Sequence, residues 1–171
     1  VDLVGGEQIG VAYRGPGGAV LNYTETTFSG QRAAMKMVAS GALDRHPELK
    51  VLVSEGGATW VPFLGDRMTE GYRQHHMMVR PKLSRTPKEI LYSQVYASFQ
   101  HDETAVAAVT AMGYRNVMFG SDYPHPEGLA DPVMFVNDLA HLGDEQLRRA
   151  MGGNLAKLIG VENTPLVNRK G

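Results

Sequence analysis

Short, nearly all-apolar runs alternate along the chain with longer stretches in which apolar residues recur every three or four positions. Ala34, Val38 and Ala42, with Met35 beside them, form one stripe and predict a helix over residues 30–43. His46-Pro47 should end it, because proline biases its predecessor away from helical geometry. Residues 49–54 read as a short strand ending at Glu55-Gly56-Gly57. Val61, Leu64 and Met68 then mark a helix over residues 58–73, and a polar loop over 75–87 follows. A short helix over 88–92 leads into a strand over 94–99. Asp102-Glu103 opens a helix to residue 112, since acids suit the positive end of the helix dipole. The next strand, 116–121, ends at Asp122. Asp131 is expected to cap a helix reaching 141, Asp144 another reaching 150, and a last helix covers 154–159. Residues 1–4 look like the tail of a strand, 5–18 a Gly-rich loop, and 163–171 a frayed end. Strand–helix repeated three times predicts an α/β fold of parallel strands joined by crossover helices. The apolar strands should be buried on both faces.

Composition narrows the function classes. Of 171 residues, 43% are hydrophobic and 20% charged, as in an ordinary globular domain. A formal charge of −1 and the lack of any Lys/Arg-rich run give no reason to expect nucleic acid. No apolar run reaches the length of a membrane span. With no cysteine, disulfides, Cys-ligated zinc and thiol catalysis are all excluded, which fits a cytoplasmic setting. The chain opens on Val1 rather than Met and is expected to be a piece of something longer. Asn22-Tyr23-Thr24 spells a glycosylation sequon, read here as chance.

The strand ends carry the candidate chemistry. One strand closes on Glu55, one on Gln100-His101 and one on Asp122. In parallel α/β architectures functional groups gather at the carboxyl ends of the strands. Alternation puts Val51, Val53 and Glu55 on one face of their strand. It does the same for Ala97, Phe99 and His101, and for Met118, Gly120 and Asp122. Three titratable residues in equivalent places suggest one shared site. Each also has a plainer reading: Asp122 as a turn residue before Pro124, Glu55 as a cap for the next helix, His101 as a loop residue. His125 either lines the pocket or holds its loop.

Phe119-Gly120-Ser121-Asp122-Tyr123-Pro124-His125 resembles the last-strand signature of amidohydrolase family 2. Three further segments agree in order and spacing. Residues 49–57 followed by Trp60-Val61-Pro62 resemble the sixth strand and its helix. Tyr96-Ala97-Ser98-Phe99-Gln100 resembles the seventh strand, and residues 151–160 the closing helix. The resemblance implies the C-terminal half of a (β/α)8 TIM barrel. It implies a metal-dependent hydrolase or non-oxidative decarboxylase acting on a small cyclic or aromatic acid. It further implies a divalent metal, zinc or manganese, with Asp122 as both ligand and catalytic carboxylate. Glu55, His101 and His125 would bind substrate or support the site. Glu55 stands where many members of the family place a histidine. The family's first-strand His-x-His or Glu-x-His pair and its fifth-strand histidine have no counterpart in this chain.

The remaining motifs are read plainly. His75-His76 belongs to a solvated loop, because adjacent residues do not face one point. His46 and His141 sit at helix ends, and Trp60 anchors core. The Arg14-Gly15-Pro16-Gly17-Gly18 run is a loop. Ser121 lacks the Gly-x-Ser-x-Gly context of a nucleophile. The expected partners are a small-molecule substrate and either a second copy or the missing N-terminal half. The alternative function is a catalytically silent half-barrel that binds another chain.

Overall fold

The computed structural model describes residues 13–102, 104–126 and 128–162. The strand-like start at 1–4 and the tail at 163–171 lie outside the described residues. Three parallel strands, β1 (Val51–Val53), β2 (Val95–Phe99) and β3 (Val117–Phe119), form a sheet of order β1-β2-β3. Val53 pairs with Ala97 and Ala97 with Val117. That row faces the helices α1 (Gly18–Ala39), α3 (Trp60–Gln74), α4 (Pro87–Gln94) and α5 (Ala105–Ala111). The core joins it to Ala34, Val38, Val61, Ile90, Leu91 and Val106, all nearly or fully buried. Each buried Val, Leu or Ile among them contributes about 1.5–3 kcal/mol of transfer free energy.

Burial is complete along β2 but not along β1, where Leu52 on the opposite face is 41% exposed. The expectation of strands buried on both faces therefore holds for β2 and for Val117 and Met118 of β3, but not for β1. Both outer strands have a strand neighbour on one side only, but β3 is also packed against Arg149–Gly153.

The first helix corrects the prediction most. It begins at Gly18, twelve residues earlier than expected, and stops at Ser40, with Gly41 in the left-handed region. The short α2 (Ala42–Arg45) follows. Only Gly18, Ala34 and Val38 of α1 are buried. Its first half touches little core, so it carries no apolar stripe for a periodicity argument to detect. Gly30 lets α1 cross β1 closely, since a Cβ there would overlap a Val53 methyl group.

Other boundaries moved by smaller amounts. Thr86 and Glu89 form a capping box that starts α4 at Pro87. The helix expected from Asp102 begins at Ala105, after a turn closed by the Ala105 amide on the Asp102 carbonyl. The segment expected as a helix from Asp131 is a 3-10 turn, Pro132–Val136. Asp131 makes no capping bond there. The segment's anchor is Phe135, stacked on Phe119 with centroids 4.9 Å apart and tilted against Phe99 at 6.1 Å. Gly143, not Asp144, occupies the cap position of α6 (Asp144–Arg148). Between α6 and α7 (Asn154–Leu158) the chain passes through a π-type turn over Arg149–Gly153 and kinks at Gly152, whose φ of 176° is extended rather than helical.

Buried polar side chains fasten the elements together. The Asn154 amide donates to the carbonyls of Arg115 and Val117 at 2.8 and 2.7 Å, docking α7 on β3. Gln94, fully buried, donates to His46 and Leu49 and accepts from Arg85. Asp44 accepts from the Ser84 amide and hydroxyl and from Arg85. The Ser84 amide, chiefly, holds its carboxyl below the usual range. Tyr114 is fully buried, and its phenol shares one proton between the carbonyls of Val95 and Asn116 at 3.0 and 2.9 Å. Burial pushes its pKa far above the ordinary value.

Tyr114→Phe removes that donor, although the Ala97 amide still reaches the Asn116 carbonyl and the Asn116 side-chain amide the Val95 carbonyl. The variant should lose about 0.5–1.5 kcal/mol of stability, measured by urea unfolding, with the helical content of the native state unchanged.

Candidate active site

Parallel pairing places the carboxyl ends of all three strands along one edge of the sheet. Glu55 and Asp122 have φ of 55° and 54° and are the only non-glycine residues with positive φ among those described. Such a conformation costs an ordinary L-residue on the order of 1–3 kcal/mol, and it clusters at functional sites. It also ends strand alternation. The register puts Met118 opposite Ser98, on the face away from Val53, Ala97 and Phe99. The Met118–Gly120 row therefore does not continue the rows that lead to Glu55 and His101. A left-handed residue at each strand end decides where the carboxylates go, not the pleat.

Glu55 and His101 line one pocket of about 400 Å³, with Asp102, Trp60 and part of α1. The Ser98 hydroxyl accepts from the Glu55 amide at 2.8 Å and so clips the end of β1 to β2. The plainer reading of Glu55 as a helix cap finds no support. The residue at the cap of α3 is Thr59, which makes no side-chain capping bond. Trp60 is buried, as expected of a core anchor, and its indole N–H donates to the Gly57 carbonyl at 2.8 Å. It lines the pocket as well.

Asp122 is not among the residues lining that pocket. Its side chain is 17% exposed, and one carboxylate oxygen lies 3.9 Å from Nδ1 of His125. That is an ion-pair distance rather than a short hydrogen bond. The loop around it is tightly wound. The His125 amide donates to the Asp122 carbonyl, the Gly128 amide to the His125 carbonyl, and the Leu129 amide to the Ser121 carbonyl, each at 2.8–2.9 Å. The structure thus puts Glu55 and His101 on the wall of one pocket and Asp122 beside His125, both on one edge of the sheet. Among the described residues no three His, Asp or Glu side chains come together as a metal cage would require. His75 and His76 sit in an exposed turn, and the His76 ring contacts the Arg73 carbonyl at 3.2 Å.

Sequence reasoning missed Tyr23, Thr27 and Gln31 of α1, which face the same pocket. Their spacing of four was a legible signal, but only once residues 18–29 were known to be helical. It also missed Ser98, whose role depends on a cross-strand neighbour.

The amidohydrolase family model matches residues 26–161. This chain belongs to the amidohydrolase family. It is 28% identical over 131 residues to a 2-amino-3-carboxymuconate-6-semialdehyde decarboxylase of Dictyostelium discoideum, covering 76% of this chain and 36% of that protein. An amidohydrolase from Mycobacterium avium subsp. paratuberculosis superposes with a TM-score of 0.64 at 29% identity, over 74% of this chain and 32% of that one. A 5-carboxyvanillate decarboxylase from Sphingomonas paucimobilis gives 0.61 at 25% identity, over 75% and 38%. A second, from Novosphingobium aromaticivorans with bound manganese, gives 0.59 over 77% and 38% at 22% identity, a likeness of fold. The chain spans about a third of the length of the relatives it matches. Among the described residues no helix is long and apolar enough to cross a membrane.

The loop geometry generates a test. A Cβ on Gly128 would overlap the Asp122 carbonyl oxygen and come within 3.0 Å of the His125 carbonyl oxygen. These are backbone atoms, which cannot swing aside as a side-chain tip can. Gly128→Ala should displace the loop carrying Asp122 and lower stability by about 1–3 kcal/mol, the range for inserting a methyl into packed structure. Thermal unfolding beside Gly143→Ala, where a Cβ meets open space, gives the comparison.

Proposed function

We propose that this chain is the C-terminal half of a (β/α)8 barrel. In that reading the complete protein is a metal-dependent, non-oxidative decarboxylase of a small cyclic or aromatic acid. Hydrolysis is the second reaction the same residues could serve. The observation that carries the reading is Asp122, a strand-end carboxylate held in a left-handed turn within Gly120-Ser121-Asp122-Tyr123-Pro124-His125. The decarboxylase relatives support the choice of reaction.

A divalent cation, zinc or manganese, belongs to this proposal for the complete enzyme. Bound there, it would polarise a carboxylate or carbonyl and acidify a bound water. The described residues offer it Asp122 as one ligand but not a whole cage. In decarboxylation the bond to the departing carboxylate breaks, CO2 leaves, and the carbon keeps the electron pair and takes a proton. In this reading Asp122 holds or passes that proton, and its carboxylate lies 3.9 Å from the His125 ring. Glu55 and His101 bound the neighbouring pocket, where the rest of the substrate would lie.

Asp122→Asn nearly preserves shape while removing the charge and the proton-accepting oxygen. In the complete enzyme it should lower kcat about a hundredfold or more with the circular dichroism spectrum unchanged. Metal content on the same preparation separates a lost ligand from a lost base. Near-normal turnover with metal retained would reduce Asp122 to a turn residue.

The alternative, a silent half-barrel that docks on another chain, draws on the sheet edges. Among the described residues β1 and β3 each have a strand neighbour on one side only. Open strand edges invite pairing. Under either reading the isolated chain should sediment as a dimer or larger assembly; a monomer that unfolds cooperatively would count against both a second copy and a missing half.

A further inference from the structure

α1 walls the pocket at the ends of β1 and β2. Tyr23, Thr27 and Gln31 recur every fourth residue, so they stack along one face of the helix. That face lines the pocket with Glu55, His101 and Asp102. A volume of about 400 Å³ falls in the range of sites for a small ring-bearing ligand.

The lining discriminates between such ligands. Tyr23 and Trp60 offer aromatic surface, and the Trp60 N–H is already committed to Gly57. The Thr27 hydroxyl donates to the Thr24 carbonyl at 3.0 Å, so towards the pocket it can only accept. Glu55 and Asp102 bring carboxylate oxygens, which are acceptors. The Asp102 carboxylate is held towards the pocket rim, 3.6 Å from where a Cβ on Gly57 would stand. The described lining residues include no Lys or Arg. A carboxylate placed here would meet two others, with the His101 ring but no Lys or Arg to balance them. A hydroxyl or ammonium group would meet several acceptors.

We propose that Tyr23, Thr27 and Gln31 are specificity-determining residues that, with Glu55 and Asp102, seat the hydroxyl- or ammonium-bearing edge of a ring and reject a carboxylate there. This rests on reading the pocket as part of the substrate site, and it adds the chemistry that the site selects.

Trp60 is the only tryptophan in the 171-residue chain, so occupancy can be read in its fluorescence without turnover. Benzylammonium and isophthalate are titrated separately into the chain, with circular dichroism checking each variant. Benzylammonium should saturate and bind at least about tenfold more tightly than isophthalate, the scale of one charge-assisted hydrogen bond. Glu55→Gln should remove most of that preference. Gln31→Leu and Thr27→Val should each weaken benzylammonium about three- to tenfold. Equal or tighter binding of isophthalate overturns the proposal, as does a preference that survives all three folded variants. Gly143 does not line the pocket and a Cβ there meets open space, so Gly143→Ala should leave benzylammonium affinity unchanged. Loss of the decarboxylase reading would then appear in turnover alone, and loss of the present one in fluorescence alone.

Discussion

Parallel strands cannot be joined by a tight turn, because each must begin where the previous one began. The chain has to return across the length of the sheet, and here it does so by helix after every strand. The same constraint delivers all carboxyl ends to one edge. Glu55, His101 and Asp122 come from positions up to 67 residues apart in sequence yet leave the sheet on that edge. The row Val53–Ala97–Val117 keeps the three strands at one level by packing on α1, α3, α4 and α5. If that face were loosened, the strand ends would lose their common frame and the site with them.

Burial and strain are divided along the strands accordingly. The middle of the sheet is apolar and unstrained, with β2 buried throughout. The ends carry left-handed Glu55 and Asp122. Such conformations persist only where their surroundings over-determine them. For Glu55 the restraint is the Ser98 hydroxyl on its amide. For Asp122 it is the run of backbone bonds from Ser121 to Leu129, with Gly128 leaving room beside the Asp122 carbonyl. Rigid elements thus hold two acids at the rim, one in a pocket that His101 also lines and one beside His125 in a loop.

The family motifs acquire physical reasons in this setting. Asn154 in the Gly-Gly-Asn run is buried because its amide binds two carbonyls at β3. Trp60 after the Gly56-Gly57 pair closes its own turn through the indole N–H. Ser98 in β2 is a cross-strand clip. These side chains shape the edge on which the candidate chemistry sits, and none of them needs to touch a substrate to matter.

The sequence by itself determined the order of the elements, the parallel α/β class and the importance of the strand ends. Those follow from local periodicity and from the residues that interrupt it. It located Glu55, His101 and Asp122, because a charged or titratable residue after an apolar strand is conspicuous. The face each acid would occupy was not legible: alternation fails once a backbone turns left-handed, and φ at Glu55 and Asp122 is set by neighbours distant in sequence. Nor was the first half of α1. Its helix turns few residues towards core, so it carries no apolar period, and Tyr23, Thr27 and Gln31 looked like parts of a polar stretch. Only the tertiary structure, by laying that helix over the ends of β1 and β2, made them a wall of the pocket. A sequence records which residues prefer to be buried; which polar residues meet across a cavity depends on how the buried ones pack.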